Sequence, residues 1–292
     1  MTYELILGDR AYSSWSLRGW LLFERFGIPV STRFVQFDGS VAAQLAKFPP
    51  ARTVPTMRTP DGAVISESLA IAEELAARHP DAGVWPTDPP ARATARTLAA
   101  EMHSGFGALR EQCPMNLRCA YSGYAPGEDV RADLARLEMI WDHARAVCGT
   151  DGPWLCGDYS AADAFFAPVA ARIAGYGLPV SGAAQAYVAA HLADPAFRRW
   201  RAMALVQGPD LPWYARDYDQ VDWPGPAPLP ARAHGTGPSE NAACPYSGAP
   251  VTDFLELDGR IFGFCNPFCR DKTVADAAAW PAFMEIYDSL TD

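Results

Sequence analysis

Between Thr53 and Ile71 the chain spells out a strand, a tight turn, a second strand and the start of a helix, and few folds accommodate that run. Thr53-Val54-Pro55-Thr56-Met57 puts a proline at a strand edge. Pro60-Asp61-Gly62 separates Met57-Arg58-Thr59 from Ala63-Val64-Ile65, a hairpin signal. Ser68 to Arg78 then has amphipathic helical spacing. Upstream, Tyr3 to Leu7 reads as a strand, Leu17 to Phe26 as an apolar helix stopped by Gly27, and Val30 to Phe37 as a second strand. Strand, helix, strand, hairpin and helix in that order predict a sheet covered by helices over residues 1–79.

The remainder divides by composition. A Pro-rich connector from His79 to Pro90 leads into an Ala-rich helical domain over residues 91–205. Within it, Ser160-Ala161-Ala162-Asp163 has capping-box spacing, with Asp in place of the usual Glu or Gln. Residues 206–240 read as a Pro-rich linker that lays Trp213, Tyr214, Tyr218 and Trp223 on the preceding domain. A small unit follows over residues 241–292. At 292 residues the chain has room for two or three domains.

Three polar groups in the first region suit a peptide-like ligand. Ser68 stands where the helix begins, with unpaired N–H groups and the positive end of the dipole, a good place for a carboxylate. Glu67 beside it is placed to accept an ammonium. Plain helix capping explains the same pair. The Ser13-Ser14-Trp15-Ser16 loop offers hydroxyls and N–H groups to an anion such as a thiolate, and again to a cap. One pKa unit on a thiol takes about 1.4 kcal/mol, within reach of one or two hydrogen bonds. A cis Val54–Pro55 bond would leave the Val54 N–H and C=O for an extended peptide, although spacing does not establish that isomer.

Taken in order, Ser-Ser-Trp-Ser-x-Arg, Val-Pro-Thr, Ile-x-Glu-Ser-x-Ala-Ile and a helical domain with a Ser-x-x-Asp cap resemble the glutathione S-transferase family over about residues 1–205. The serine-rich loop is most similar to the zeta-type and related bacterial members. The resemblance implies a thioredoxin-like α/β N-terminal domain, an all-α C-terminal transferase domain and a homodimer. It implies a cis Val54–Pro55 bond, Ser13 activating the glutathione thiol with Ser14 beside it, and Val54, Pro55, Glu67 and Ser68 binding glutathione. Trp15 stands where the zeta pattern has Cys, a departure that counts against the isomerase activity of that class. Acceptor-side candidates in the helical domain are Met102, His103, Phe106, Met115 and Tyr121, whose spacing fits a core equally well.

The last segment carries Cys244, Cys265 and Cys269 around a strand–Asp258-Gly259–strand hairpin that brings the cysteines together. Some fifty residues bury little core, so a metal is a natural staple. Structural zinc takes four ligands, and Ser247 occupies the place of a fourth cysteine. Residues 242–285 resemble the TRASH/YHS-type metal-binding modules, an α+β unit. Zinc, a softer ion such as Cu(I), and a degenerate module with free thiols all remain open.

The expected function is conjugation or transfer of the glutathione thiol to a small electrophile, with glutathione as co-substrate and possible zinc in the tail. A non-catalytic protein of this fold with a metal-sensing or metal-delivery tail is the alternative. Dithiol redox chemistry is disfavoured by the absence of Cys-x-x-Cys in the serine loop. A net charge of −10 argues against nucleic acid and anionic membrane as partners, and no long apolar run or secretory leader is visible. Seven cysteines in no regular framework fit a reducing cytoplasm.

Overall fold

The computed structural model describes residues 2–289. Two compact units emerge: Met1–Leu192 with Asp210–Pro224, and Ala193–Pro209 with Gly225–Asp292.

The first unit begins with strand β1 (Tyr3–Leu7), helix α1 (Ser14–Glu24), strand β2 (Val30–Phe34), a short helix α2 (Val41–Gln44), strands β3 (Thr56–Arg58) and β4 (Val64–Ser66), and helix α3 (Ser68–Arg78). The sheet order is β2-β1-β3-β4. β1 pairs β2 in parallel, with Leu5 opposite Thr32, and β3 antiparallel, with Leu5 opposite Met57. The mixed sheet follows from connection length: a helix must carry the chain from β1 to the parallel β2, whereas a tight turn suffices between β3 and β4. In that turn Thr59 N–H donates to the Ala63 carbonyl at 2.9 Å, Thr59 Oγ1 bonds the Asp61 carboxylate, and Gly62 takes φ 94°.

Helix α1 starts three residues earlier than the apolar run suggests, because Ser13 caps it: Ser13 Oγ accepts the Ser16 N–H at 3.2 Å. β2 ends at Phe34, short of the expected Phe37. Gly19 of α1 lies against Pro55, and a Cβ there would sit 2.6 Å from the proline Cβ. The helix can settle on this loop only because residue 19 has no side chain.

The helical part contains α4 (Pro89–Ser104), α5 (Gly107–Gln112), α6 (Glu128–Cys148), α7 (Ala161–Gly175) and α8 (Gly182–Ala193). α7 is apolar on all sides and buried almost throughout, as such a helix must be. Its N-terminus carries the expected capping box. Asp163 Oδ2 accepts the Ser160 N–H at 2.9 Å, while Oδ1 accepts from Tyr187 Oη at 2.9 Å and the Leu155 N–H at 3.2 Å. Among the described residues no helix is long and apolar enough to cross a membrane.

The Pro-rich segment is split between the units. Residues 210–224 pack on the helical part: Tyr214 stacks on Tyr12 with centroids 4.8 Å apart, and β6 (Gln220–Val221) pairs with β5 (Ala120–Tyr121). Residues from Gly225 onward join the second unit.

The second unit departs from the expected 241–292 module. It takes in helix α9 (Pro195–Val206), read from the sequence as the end of the helical domain, and strand β7 (Arg232–His234). β7 pairs β8 (Asp253–Leu257), which pairs β9 (Arg260–Phe264) through the Asp258-Gly259 turn at φ 52° and 75°. Helices α10 (Pro267–Ala275) and α11 (Pro281–Ser289) complete it. Arg198 of α9 forks onto Asp276 at 2.8 and 2.6 Å, and Ala202 of the same helix shares a core with Leu255, Leu257, Phe262, Phe264 and Phe283. With α9 added, this unit has an aromatic core of its own.

Candidate functional site

A cavity of about 660 Å³ opens in the first unit. Ser13, Ser14, Trp15 and Arg18 line it from α1 and the loop before it, and Thr53 and Val54 from the loop before β3. Arg110, Met115, Arg172 and Tyr214 line it from the helical part. The Val54–Pro55 bond is cis, as the resemblance implies.

The two serines make different hydrogen bonds. Ser13 Oγ accepts the Ser16 N–H and donates to Ser16 Oγ at 2.8 Å, and Ser16 Oγ in turn accepts the Gly8 N–H at 2.7 Å. The Ser13 hydroxyl is thus committed to the cap of α1. Ser14 Oγ accepts from Arg172 Nη2 at 2.9 Å. That bond uses a lone pair and leaves the Ser14 proton to donate into the cavity.

Arg172 is 5% exposed. Its other bonds go to neutral carbonyls, from Nε to Cys113 O at 2.9 Å and from Nη1 to Pro168 O at 3.1 Å. Burial, with Arg110 nearby, pulls its pKa down to about 10, so it remains a cation at neutral pH.

Glu67 and Ser68 lie at the start of α3. Glu67 has φ 72° and ψ 124°, a backbone conformation that costs a non-glycine residue energy. Its side chain makes no capping bond, and its carboxylate lies 3.5 Å from His103 Nε2. Ser68 is fully buried, and its hydroxyl has no hydrogen-bond partner. A buried unpaired hydroxyl is costly, and a ligand carboxylate at this helix N-terminus would satisfy it. Neither residue lines the cavity itself. They connect to it through His103, whose ring packs edge-on against Trp15 with centroids 5.1 Å apart. Burial lowers the His103 pKa, opposed by Glu67.

Among the acceptor candidates, Met115 lines the cavity and His103 borders it. Met102, Phe106 and Tyr121 are buried and absent from its wall. The sequence reading missed Arg110, Arg172 and Tyr12, and named Tyr214 only as an aromatic packed on the preceding domain. Only Tyr12 carried any local signal, as the neighbour of the serine loop. Arg18 was visible as a motif residue without a role.

In the second unit the sulfurs of Cys244, Cys265 and Cys269 lie within 4.8 Å of one another, with Cys265 and Cys269 at 3.9 Å. Tetrahedral Zn–S bonds of about 2.3 Å place two sulfurs about 3.8 Å apart, so the donor set fits such an ion. Ser247 Oγ and Asn266 Nδ2 donate to Cys265 Sγ at 3.3 and 3.2 Å. Burial pushes the Cys244 thiol up, but N–H donation from Tyr246, Cys265 and Ser247 outweighs it and brings the pKa down to about 7. Burial and the neighbouring Cys265 push Cys269 up to about 12.

Residues 12–78 match the family described as glutathione S-transferase, N-terminal domain. Over 102 residues the chain is 45% identical to a probable maleylacetoacetate isomerase of Caenorhabditis elegans, a match covering 34% of this chain and 47% of that protein. The chain therefore spans about half the length of that curated relative.

A solved glutathione transferase homolog from Burkholderia gl BGR1, with bound glutathione, is 23% identical at TM-score 0.55, covering 71% of this chain and all of that one. A glutathione transferase from Methylococcus capsulatus str. Bath is 22% identical at TM-score 0.52, covering 70% of this chain and 100% of its own. Glutathione transferase Omega 1C from Trametes versicolor is 17% identical at TM-score 0.52, covering 68% of this chain and 90% of its own. The chain thus has the glutathione transferase fold, a thioredoxin-like domain followed by a helical one, with a small cysteine-containing region beyond it.

Proposed function

We propose that this protein is a glutathione-dependent transferase in which Ser14 holds the glutathione thiolate. The observation that carries this reading is the Arg172–Ser14 bond, which supports a hydroxyl oriented by a buried cation and free to donate. Glu67 would take the γ-glutamyl ammonium and Ser68 with the α3 N-terminus its carboxylate, a use for the bare hydroxyl and the uncapped acid. The Val54 backbone would pair with the cysteinyl residue beside the cavity. Ser13 would serve the reaction indirectly, by fixing the turn on which Ser14 stands.

Once the thiol proton has passed to solvent, the Ser14 O–H and the Arg172 charge stabilise the sulfur anion. The sulfur then donates an electron pair to the electrophilic carbon. A C–S bond forms and the leaving group departs with its own pair. Holding both reactants in one cavity supplies much of the acceleration. The protein should bind immobilised glutathione and elute with free glutathione, and Ser68→Ala with Glu67→Gln should abolish retention. Undiminished retention by that double variant would refute this placement of the donor.

The second unit supports a separate reading as a zinc module held by Cys244, Cys265 and Cys269, with water in the fourth position. Zinc there would join β9, α10 and the Cys244 turn covalently, while Ser247 and Asn266 orient Cys265. The TRASH/YHS resemblance supports it through cysteine spacing alone. Metal analysis of purified protein, with zinc near one per chain and lost in Cys265→Ser, tests it against Cu(I) and against free thiols. A homodimer in a reducing cytoplasm completes the proposal, the first part testable by light scattering.

A further inference from the structure

Lys272 on α10 is 8% exposed, although lysine ordinarily carries its charge out to water. Its ammonium lies 3.7 Å from the ring centroid of Tyr246 and 3.9 Å from that of Trp280, with Phe268 further out at 5.7 Å. The two nearer rings meet edge-on, with centroids 5.3 Å apart. Both are anchored by hydrogen bonds. Tyr246 Oη bonds Thr273 Oγ1 at 2.5 Å, and Trp280 Nε1 donates to the Lys272 carbonyl at 3.1 Å.

This aromatic cage stands beside the three cysteines of the second unit. Tyr246 follows Cys244 by two residues, and Lys272 follows Cys269 by three, which puts Cys269 and Lys272 on one face of α10. Thr273, the partner of Tyr246, also donates to the Cys269 carbonyl at 2.8 Å. Cys244 and Cys269 are buried. Burial pushes the Cys269 thiol up, and the Lys272 charge opposes that push, so the ammonium acts directly on the cluster.

Three thiolates around a divalent ion leave one surplus negative charge, and an unbalanced charge is expensive away from water. A cation fixed nearby offsets it, more strongly as the local dielectric falls. A lysine side chain held in one place loses rotamer freedom. Cation–π attraction from Tyr246 and Trp280 offsets that loss and keeps the ammonium from swinging out to solvent. Packing alone gives no reason for an amine at this position, where methionine would fill the same space.

We propose that Lys272 is a positioning residue of the tail's metal centre: its ammonium, clamped between Tyr246 and Trp280, balances the surplus negative charge of a divalent ion held by Cys244, Cys265 and Cys269. This rests on the zinc-module reading above, and it adds a residue that acts through charge rather than by ligation.

Zinc affinity of the full chain, measured by competition with the chromogenic chelator pyridylazoresorcinol, tests it. Lys272→Met keeps the length and the apolar stem and removes the charge. It should weaken zinc binding by about ten- to a hundredfold, the scale of outer-shell effects on metal sites. Lys272→Arg keeps the charge and should bind zinc more tightly than the methionine variant does. Cobalt(II) in place of zinc reports the ligands themselves. Its sulfur-to-metal charge-transfer band at saturation should be as intense in Lys272→Met as in the unaltered protein, because the same three thiolates still bind. Three results would overturn the inference and leave the zinc module standing: equal zinc affinity in the unaltered protein and Lys272→Met, methionine and arginine variants that bind alike, or an affinity loss that tracks a weaker cobalt band, the sign of a disturbed ligand set. If the unaltered protein takes up no zinc, the module reading fails and the inference falls with it.

Discussion

Arg172 Nη2 reaches Ser14 Oγ at 2.9 Å, joining the middle of the helical part to the first residue of α1. The bond links residues 158 apart in sequence, and it singles out Ser14 among the serines of the loop. Arg172 does not reach the reacting carbon in this account; it is a positioning residue and a source of field. Arg172→Gln should therefore move the rising limb of the kcat/KM pH profile upward, by about one pH unit for each 1.4 kcal/mol of thiolate stabilisation lost. Lysine at this position should recover part of the shift. A variant with lower activity and an unmoved profile would show that Arg172 merely holds the fold.

Ser68 makes an opposite demand on stability and binding. Its hydroxyl is buried and unpaired, so Ser68→Ala removes a polar group that costs energy in the free protein. The expected result is an equal or higher Tm together with glutathione binding weakened by roughly 1–2 kcal/mol. Calorimetric titration and thermal unfolding on the same sample check both halves.

Asp163 holds four donors at the head of α7: the Ser160 N–H and hydroxyl, the Leu155 N–H and the Tyr187 hydroxyl. Asp163→Ala would strand these donors in a buried region and should cost about 2–5 kcal/mol, measured by urea unfolding. Asp163→Asn retains part of the network and should cost less.

His191 gives the first unit an acid-sensitive point. It is buried at the end of α8 against Trp154 and Tyr187, and burial followed by the charge of Arg25 lowers its pKa to about 3. The unfolded chain takes up this proton near pH 6.5 and the folded one does not. The neutral-pH stability is therefore present above about pH 6.5 and declines as pH falls toward 3, at up to about 1.4 kcal/mol per pH unit from this group. Denaturant midpoints between pH 7 and 5 should show that slope, and His191→Phe should flatten it.

Legibility in the sequence followed locality. β1, α3 and the Asp258-Gly259 hairpin were readable because periodicity, caps and turn residues are short-range signals. Residues 195–206 were readable as a helix, but their assignment to the second unit depends on Arg198 meeting Asp276, a tertiary pairing without local trace. The glutathione motifs marked where a tripeptide could lie. Arg18, Arg110 and Arg172 come together only through folding. The choice between Ser13 and Ser14 likewise required knowing which hydroxyl the cap consumes.

That choice is tested most directly by comparing Ser14→Ala and Ser13→Ala in glutathione transfer to a neutral nitroaryl chloride, each rate normalised to folded protein. Ser14→Ala should lower kcat/KM by about ten- to a hundredfold, the worth of a hydrogen bond to a charged group, with little change in Tm. Ser13→Ala should keep most of the activity and lose about 1 kcal/mol of stability, the typical value of an N-cap. Activity lost with Ser13 and retained without Ser14 would contradict the account.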